Sequence, residues 1–169
     1  MIIRKESEEE FNQIYDLVKI AFQTAQVTNG DEQNFVSKLR ASENYIPGLA
    51  LVAEENGKLV GHMMLTRAYI INDDHRHEVL YLAPISVALE YRRKGIGSEL
   101  IKESFRLARN MGHTAVVLVG DPAYYHRFGF KPAITFGIKP KMEIPDEYVM
   151  ACELVSGALK GISGVTDCF

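Results

Sequence analysis

From Phe11 the chain sets apolar residues at helical intervals: Phe11, Ile14, Tyr15, Val18 and Phe22 share one face, with polar residues between them. Ser7 and Glu10 stand three apart just ahead of that stripe, the spacing of a capping box, and Ile2 and Ile3 begin a short strand before it. Asn29 and Gly30 break the period. Residues 23–30 are therefore expected to form a loop, followed by a second helix over residues 31–41 that turns Phe35, Val36 and Leu39 toward the core.

The period then shortens. Two strand-like runs within residues 49–71 flank Glu55, Asn56 and Gly57, and Asn-Gly readily adopts the positive φ angles of a tight hairpin turn. A polar tract, residues 72–77, links this hairpin to the apolar run LYLAPISVAL. Pro84 lies inside that run and has no N–H for a ladder, so a bulge or loss of pairing is expected at residues 83–85. A strongly amphipathic helix comes next, with Ile96, Leu100, Ile101, Phe105, Ala108 and Met111 on its seam and Gly112 as its stop. Residues 114–120, TAVVLVG, read as a buried parallel strand reached by that helix crossover.

Pro122 then opens a short helix ending at Gly129, with Phe130 starting a strand. The segment after Lys131 suits a loop or pocket wall. Residues 148–155 alternate as a strand, and the Gly-rich tail is expected to close the sheet or return across it. This order of elements describes one α/β (α+β) domain over residues 1–169: a mixed, mostly antiparallel central sheet flanked by helices.

Composition narrows the class without naming a function. A chain of 169 residues, 47% apolar, can bury a substantial single core. Its net charge of −3 does not suit a general nucleic-acid binder. Cys152 and Cys168 have no metal-type spacing and fit a reducing cytoplasm. MIIRKESEEEF has no signal-peptide core, and no run of eighteen apolar residues suggests a membrane span. Asp73, Asp74, His75 and His77 are good ligand types, but the tract lacks a complete metal spacing and reads as an exposed turn.

The candidate chemistry lies between the apolar run and the amphipathic helix, in EYRRKGIGSEL, residues 90–100. A first helical turn offers unpaired N–H groups and the positive end of the helix dipole, and glycines let an anion approach the backbone. Gly95 and Gly97 stand at this turn, with Arg92, Arg93 and Lys94 beside it. A Walker A loop would need its lysine after the glycines, whereas Lys94 precedes them. A Rossmann fingerprint would need a third glycine where Leu100 stands, although Asp121 imitates its ribose-binding acid and this stretch alone leaves a dinucleotide site open.

Arg-x-x-Gly-x-Gly at Arg92, Gly95 and Gly97 resembles the acetyl-CoA pyrophosphate loop of the GNAT superfamily of N-acetyltransferases. A second run, DPAYYHRFGFKPA, resembles the family's Ala-x-x-Phe-Tyr-x-x-x-Gly-Phe, with Tyr124 in place of Phe and Asp121 in place of Ala. Its preceding Gly-Asp-Pro is similar to that of a subgroup of small bacterial acetyltransferase-like proteins with unassigned acceptors.

The resemblance covers residues 79–132 most strongly. It implies a splayed parallel strand pair at the CoA site, with Ile85, Ser86 and Val87 pairing with the pantetheine arm. Arg92, Arg93, Lys94, Gly95, Ile96, Gly97 and Ser98 would hold the pyrophosphate. Tyr125 would be the general acid. The loop between the first two helices would shape the acceptor pocket.

The expected reaction moves the acetyl group of acetyl-CoA to a primary amine by direct attack through a tetrahedral intermediate, with no metal. Glu54, Glu78, His62 and His126 have the chemistry of a base, but spacing assigns none. A non-catalytic acyl-CoA sensor would use the same loop. The expected partners are acetyl-CoA and an amine, with no nucleic acid or membrane, and a homodimer stays open.

Overall fold

A computed structural model describes residues 1–25 and 28–169, so positions 26 and 27 of the expected loop at 23–30 lie outside the described residues. The chain forms two compact units. The first comprises Met1–Thr66 and Ala83–Leu107, the second Arg67–Leu82 and Ala108–Phe169.

In the first unit β1 (Ile2–Lys5) pairs antiparallel with β2 (Ala50–Glu55), and β2 with β3 (Lys58–Asn72). The turn between β2 and β3 is the expected one, with Asn56 at φ 50° and Gly57 at φ 77°. A 3₁₀ turn at Glu8–Glu10 leads into α1 (Phe11–Phe22), and the Ser7 N–H donates to the Glu10 carboxylate at 3.0 Å, the returning half of the capping box. α2 (Glu32–Ala41) comes after it.

Ile14, Val18 and Val36 from the helices bury against Ala50, Val52 and Met64. Burying a side chain such as Ile14, at 0% exposure, contributes about 1.5–3 kcal/mol, more than an exposed ion pair on the same helices. The expected inward stripe of α2 holds at Val36, which is buried, and at Leu39, which is partly buried against the same cluster. Gln33 joins them on the i, i+3 row, while Phe35 is only partly buried.

The second unit begins within β3 and its neighbour β4 (His75–Val87), which both contribute residues to the two units. The expected polar link is tighter than residues 72–77 suggest: Asp73, at φ 52°, and Asp74 make the turn, and His75 to His77 already belong to β4. β5 (Ala115–Val119) runs parallel to β4 through Leu80↔Val116 and Tyr81↔Val117, and antiparallel to β8 (Val149–Glu153). The expected parallel pairing of β5 is present on its β4 edge, and its other edge is antiparallel to β8.

A short helix α4 (Pro122–Tyr125) and the strands β6 (Lys131–Pro132) and β7 (Ile138–Lys139) precede β8, with β6 paired to β8. The tail joins the sheet as β9 (Gly164–Thr166), antiparallel to β3 and parallel to β7. The fold class is therefore mixed α/β with a mostly antiparallel sheet. α3 (Ile96–Asn110) carries Ile96, Leu100, Ile101, Phe105 and Ala108 inward. Met111 does not continue that seam. It is 50% exposed, because the helix ends at Asn110 and Gly112, at φ 90°, turns the chain away.

Glu6, just after β1, is the charged group most deeply committed to the first unit. Its Oε1 accepts from Arg40 Nη2 at 2.9 Å and lies 2.8 Å from His62 Nε2; its Oε2 accepts from Arg40 Nε at 2.7 Å and Tyr45 Oη at 2.8 Å. Burial alone would push this carboxyl up. Arg40 and His62 outweigh it and hold the pKa down to about 2, from an ordinary 4.5. A depressed carboxylate stabilises the fold above its unfolded pKa, and the contribution disappears as pH falls through the folded one. Unfolding free energy should therefore drop by on the order of 3 kcal/mol between pH 4.5 and about 2, and Glu6→Gln should remove that slope. Urea titrations across this range check it; an equal slope in both proteins would place the acid sensitivity elsewhere.

Candidate functional site

The loop between β4 and α3 is built on backbone geometry. Ala88 N–H donates to Val60 O at 2.8 Å, ahead of a 3₁₀ turn at Leu89–Tyr91. Arg93 at φ 62° and Gly95 at φ 82° then fold the chain into α3. Nothing lies within 4 Å of a methyl placed on Gly95, so backbone conformation rather than space calls for glycine there. Glu99 N–H donates to Gly95 O at 3.0 Å, so the N–H groups of Ile96, Gly97 and Ser98 precede the first intrahelical donor. Three such donors at the positive end of a fifteen-residue helix have the geometry and potential that favour an anion.

The turn is anchored from beneath. Ile96 is 4% exposed, and a methyl added at Gly61 of β3 would come within 3.0 Å of Leu100 Cδ1 and 3.1 Å of Ile96 Cγ2.

The basic residues of the loop divide into two roles. Arg92 is committed to protein: Nη1 donates to Thr24 Oγ1 at 2.9 Å, Nη2 to Ala21 O at 2.5 Å, and Nε to Val87 O at 3.4 Å. It therefore joins the end of α1 to the end of β4. Arg93 and Lys94 are exposed beside the N–H groups, with Lys94 Nζ 5.1 Å from the Tyr91 ring centre. Ile85 and Val87 are half-buried, and Ser86 is 3% exposed with its hydroxyl unpaired among the described residues. Arg106 on α3 makes two hydrogen bonds to Glu103 at 2.9 and 2.6 Å.

In the second unit Asp121 caps α4, accepting from Ala123 N–H at 2.9 Å, and Gly129 at φ 92° ends the turn after it. That capping role explains the aspartate and removes the support it lent to a dinucleotide site. Tyr125 packs edge-on against Tyr124 and Phe130, with centroids 4.9 and 5.8 Å apart. A methyl on Gly120 would fall 2.5 Å from Tyr125 Cε2, so the absent side chain makes room for the ring. The Tyr125 hydroxyl makes no hydrogen bond among the described residues. Burial, then the fields of Tyr124 and Asp121, push its pKa above the ordinary phenol value, so it stays protonated.

The four base-type residues are placed differently. Glu54 lies 3.2 Å from Arg4, Glu78 is 3.6 Å from Arg67, and His126 Nδ1 sits 3.1 Å from Pro122 O. His62 is fully buried on Glu6. Among the described residues no group of three or more His, Cys, Asp and Glu could hold a metal, and no helix is long and apolar enough to cross a membrane. Cys152 and Cys168 are both free thiols, pushed up to about 11 and about 12 by burial.

A family model described as an acetyltransferase (GNAT) domain matches residues 2–133, a span that includes both the loop and α4. The chain belongs to the GNAT family. Among relatives of this GNAT chain is the uncharacterized N-acetyltransferase YjhQ of Escherichia coli, 36% identical over 69% of this chain. The match spans 65% of YjhQ's own length, just under two thirds. The crystal structure of the GNAT family N-acetyltransferase YhbS from Escherichia coli in complex with CoA superposes with a TM-score of 0.87 at 26% identity. It covers 98% of this chain and 87% of YhbS. A GNAT family acetyltransferase from Brucella melitensis in complex with acetyl-CoA gives a TM-score of 0.74 at 31% identity, covering 90% and 86%.

Sequence reading missed the Arg92 contacts because Ala21 and Thr24 lie 71 and 68 residues away. Arg92→Ala should loosen both ends of that link at once. Amide exchange near residues 19–25 and 87–93 should speed by roughly tenfold, since one exposed arginine loses several charge-assisted hydrogen bonds. Exchange measured by mass spectrometry would refute the link if protection at both segments were unchanged.

Proposed function

We propose that this GNAT chain is an acetyl-CoA-dependent N-acetyltransferase that moves an acetyl group to a primary amine by direct attack. The observation that carries the reading is the set of three intrahelically unpaired N–H groups at Ile96, Gly97 and Ser98, entered through the left-handed Arg93 and Gly95. CoA and acetyl-CoA in the two similar solved structures support the same ligand here. Gly95 through Ser98 would bind the pyrophosphate through backbone, while Arg93 and Lys94 supply charge and Arg92 holds the loop's entry. Backbone of Ile85, Ser86 and Val87 would pair with the pantetheine arm, and an N–H of Val87 or its neighbour would polarise the thioester carbonyl. Tyr125 would protonate the departing CoA thiolate. The free thiols support a reducing, cytoplasmic setting.

Two substitutions separate the parts of this reading. Gly97→Val keeps the helix but sets a branched side chain where the pyrophosphate must approach, so acetyl-CoA affinity by calorimetry should fall at least tenfold, the order expected from losing charge-assisted hydrogen bonds. Arg106→Ala, whose partner is Glu103, should leave it nearly unchanged. A folded Gly97→Val protein with native affinity would rule out the loop.

Tyr125→Phe removes one hydroxyl and keeps the ring. It should preserve acetyl-CoA binding and lower the single-turnover rate about 10²-fold with the best amine of a panel. Native rates across pH would leave Tyr125 a packing residue. Acetyl-CoA binding with no product from any amine would identify a non-catalytic acyl-CoA binder instead.

A further inference from the structure

The Glu6 carboxylate has about four lone-pair positions. All four are occupied: two by Arg40, one by Tyr45 and one by His62. An ionised carboxylate donates nothing, so His62 Nε2 must carry its proton toward Glu6. In the neutral ring Nδ1 then keeps a lone pair. His62 is 0% exposed, and Nδ1 has no hydrogen-bond partner among the described residues. Burying an acceptor with nothing to accept is unfavourable. Glu6, Arg40 and Tyr45 are all engaged on the other side of the ring and leave that lone pair open.

The position of the ring gives the lone pair a use. Ala88 N–H bonds to Val60 O at 2.8 Å, and a methyl at Gly61 would lie 3.3 Å from Ser86 O. His62, next along β3, therefore lies on the strand beside the step of β4 at Ile85 and Ser86, with its ring on the face away from α3 and toward Glu6. On its other side β3 pairs with β2, where the apolar Val52 stands opposite. The role inferred for His62 rests on the placing of the cofactor's thioester end at Ile85, Ser86 and Val87.

We propose that His62 is the residue that takes up the amine's proton during acetyl transfer, locked in its accepting tautomer by Glu6. Because the ring is fully buried, the proton reaches Nδ1 across an internal water, and His62 acts on the amine through that water. The ammonium loses one proton by this route, giving a neutral amine and an imidazolium beside Glu6. A C–N bond then forms at the thioester carbon as the carbonyl π pair moves onto oxygen, the tetrahedral intermediate collapses with cleavage of the C–S bond, and the departing sulfur gains a proton equivalent to the second one the nitrogen sheds. Nδ1 finally releases its proton to solvent. One thioester and one ammonium yield one amide, one thiol and one proton. Glu6 is negative and Arg40 positive, so the resting cluster is neutral and the imidazolium is a transient extra charge that Glu6 steadies.

Protonation of Nδ1 at low pH removes the acceptor, so kcat/KM should fall on the acid side. His62→Gln retains an amide N–H for Glu6 without a titratable base. It should bind acetyl-CoA within about twofold of native, lower kcat/KM about 10²-fold and lose the acid limb. Tyr45→Phe removes one donor from Glu6 and leaves Nδ1 alone, so it should lower the melting temperature and keep the limb. A His62→Gln enzyme with the native limb, or with a rate within about threefold of native, overturns the proposal.

If His62→Gln does not fold, nitrogen NMR of the native protein decides. The ring should carry hydrogen on Nε2 at the alkaline end and titrate with the kinetic limb. An Nδ1–H tautomer, or a ring that never titrates over the active range, overturns the idea. Absence of amine turnover by the native protein would instead sink the transferase reading itself, which the His62→Gln comparison does not address.

Discussion

A buried carboxylate is tolerable when its lone pairs are filled and its charge is matched, and Glu6 meets both conditions. Four donors arrive from three places that are distant in sequence: α2, the segment after it, and β3. Glu6 itself comes directly after β1, and its N–H bonds to Ala50 O at 3.0 Å. The end of β1, the start of β2, α2 and β3 are thereby fixed against one another by directional bonds, while Ile14, Val18 and Met64 supply the nondirectional part. Loss of Arg40 would leave the charge buried without its counterion, a far larger penalty than the net worth of the pair. The anion loop inherits this order through β3, where Val60 O and Gly61 receive Ala88 and the first turn of α3.

Local features were legible in the sequence because local chemistry determines them. Asn56 and Gly57, Gly112 and Gly129 sit at positive φ where their residue types announced turns or helix ends. Ser7 and Glu10 marked the entry to α1, and the glycines and basic residues of the 90–100 stretch marked the loop. What spacing could not supply were partners brought together by the sheet. Residues 6, 40, 45 and 62 show no common motif, and each has an ordinary surface explanation by itself. His62 was visible as a base-type side chain but not as a buried one. Extrapolating a period also failed at its ends: Met111 fits the seam of α3 numerically, yet the helix stops one residue earlier.

The basic triplet shows how charge counted in a sequence differs from charge delivered to a site. With its guanidinium on Thr24, Ala21 and Val87, Arg92 contributes to an anion's field without offering those hydrogens to it. On the proposed reading the remaining contacts come from backbone N–H groups, which side-chain changes other than to proline leave in place and which salt screens less than exposed lysines. A net charge of −3 is therefore compatible with binding a highly anionic cofactor, because the helix terminus supplies the local potential.

The same distinction between local and bulk properties governs the proposed acid. A phenol at its reference pKa is a weaker acid than a thiol by about 1.5 units, so handing its proton to a thiolate is uphill by about 2 kcal/mol in water. Burial raises Tyr125 further and would widen the gap if the sulfur stayed solvated. Desolvation of the departing thiolate raises its proton affinity by the same physics, which narrows the gap again. The nitrogen of the tetrahedral intermediate also carries a proton far more acidic than a phenol's. Tyr125 can therefore give a proton to sulfur as it regains one that began on nitrogen, so a buried phenolate never accumulates. On this account the raised pKa is compatible with donation, since it keeps the hydroxyl protonated until sulfur acquires charge.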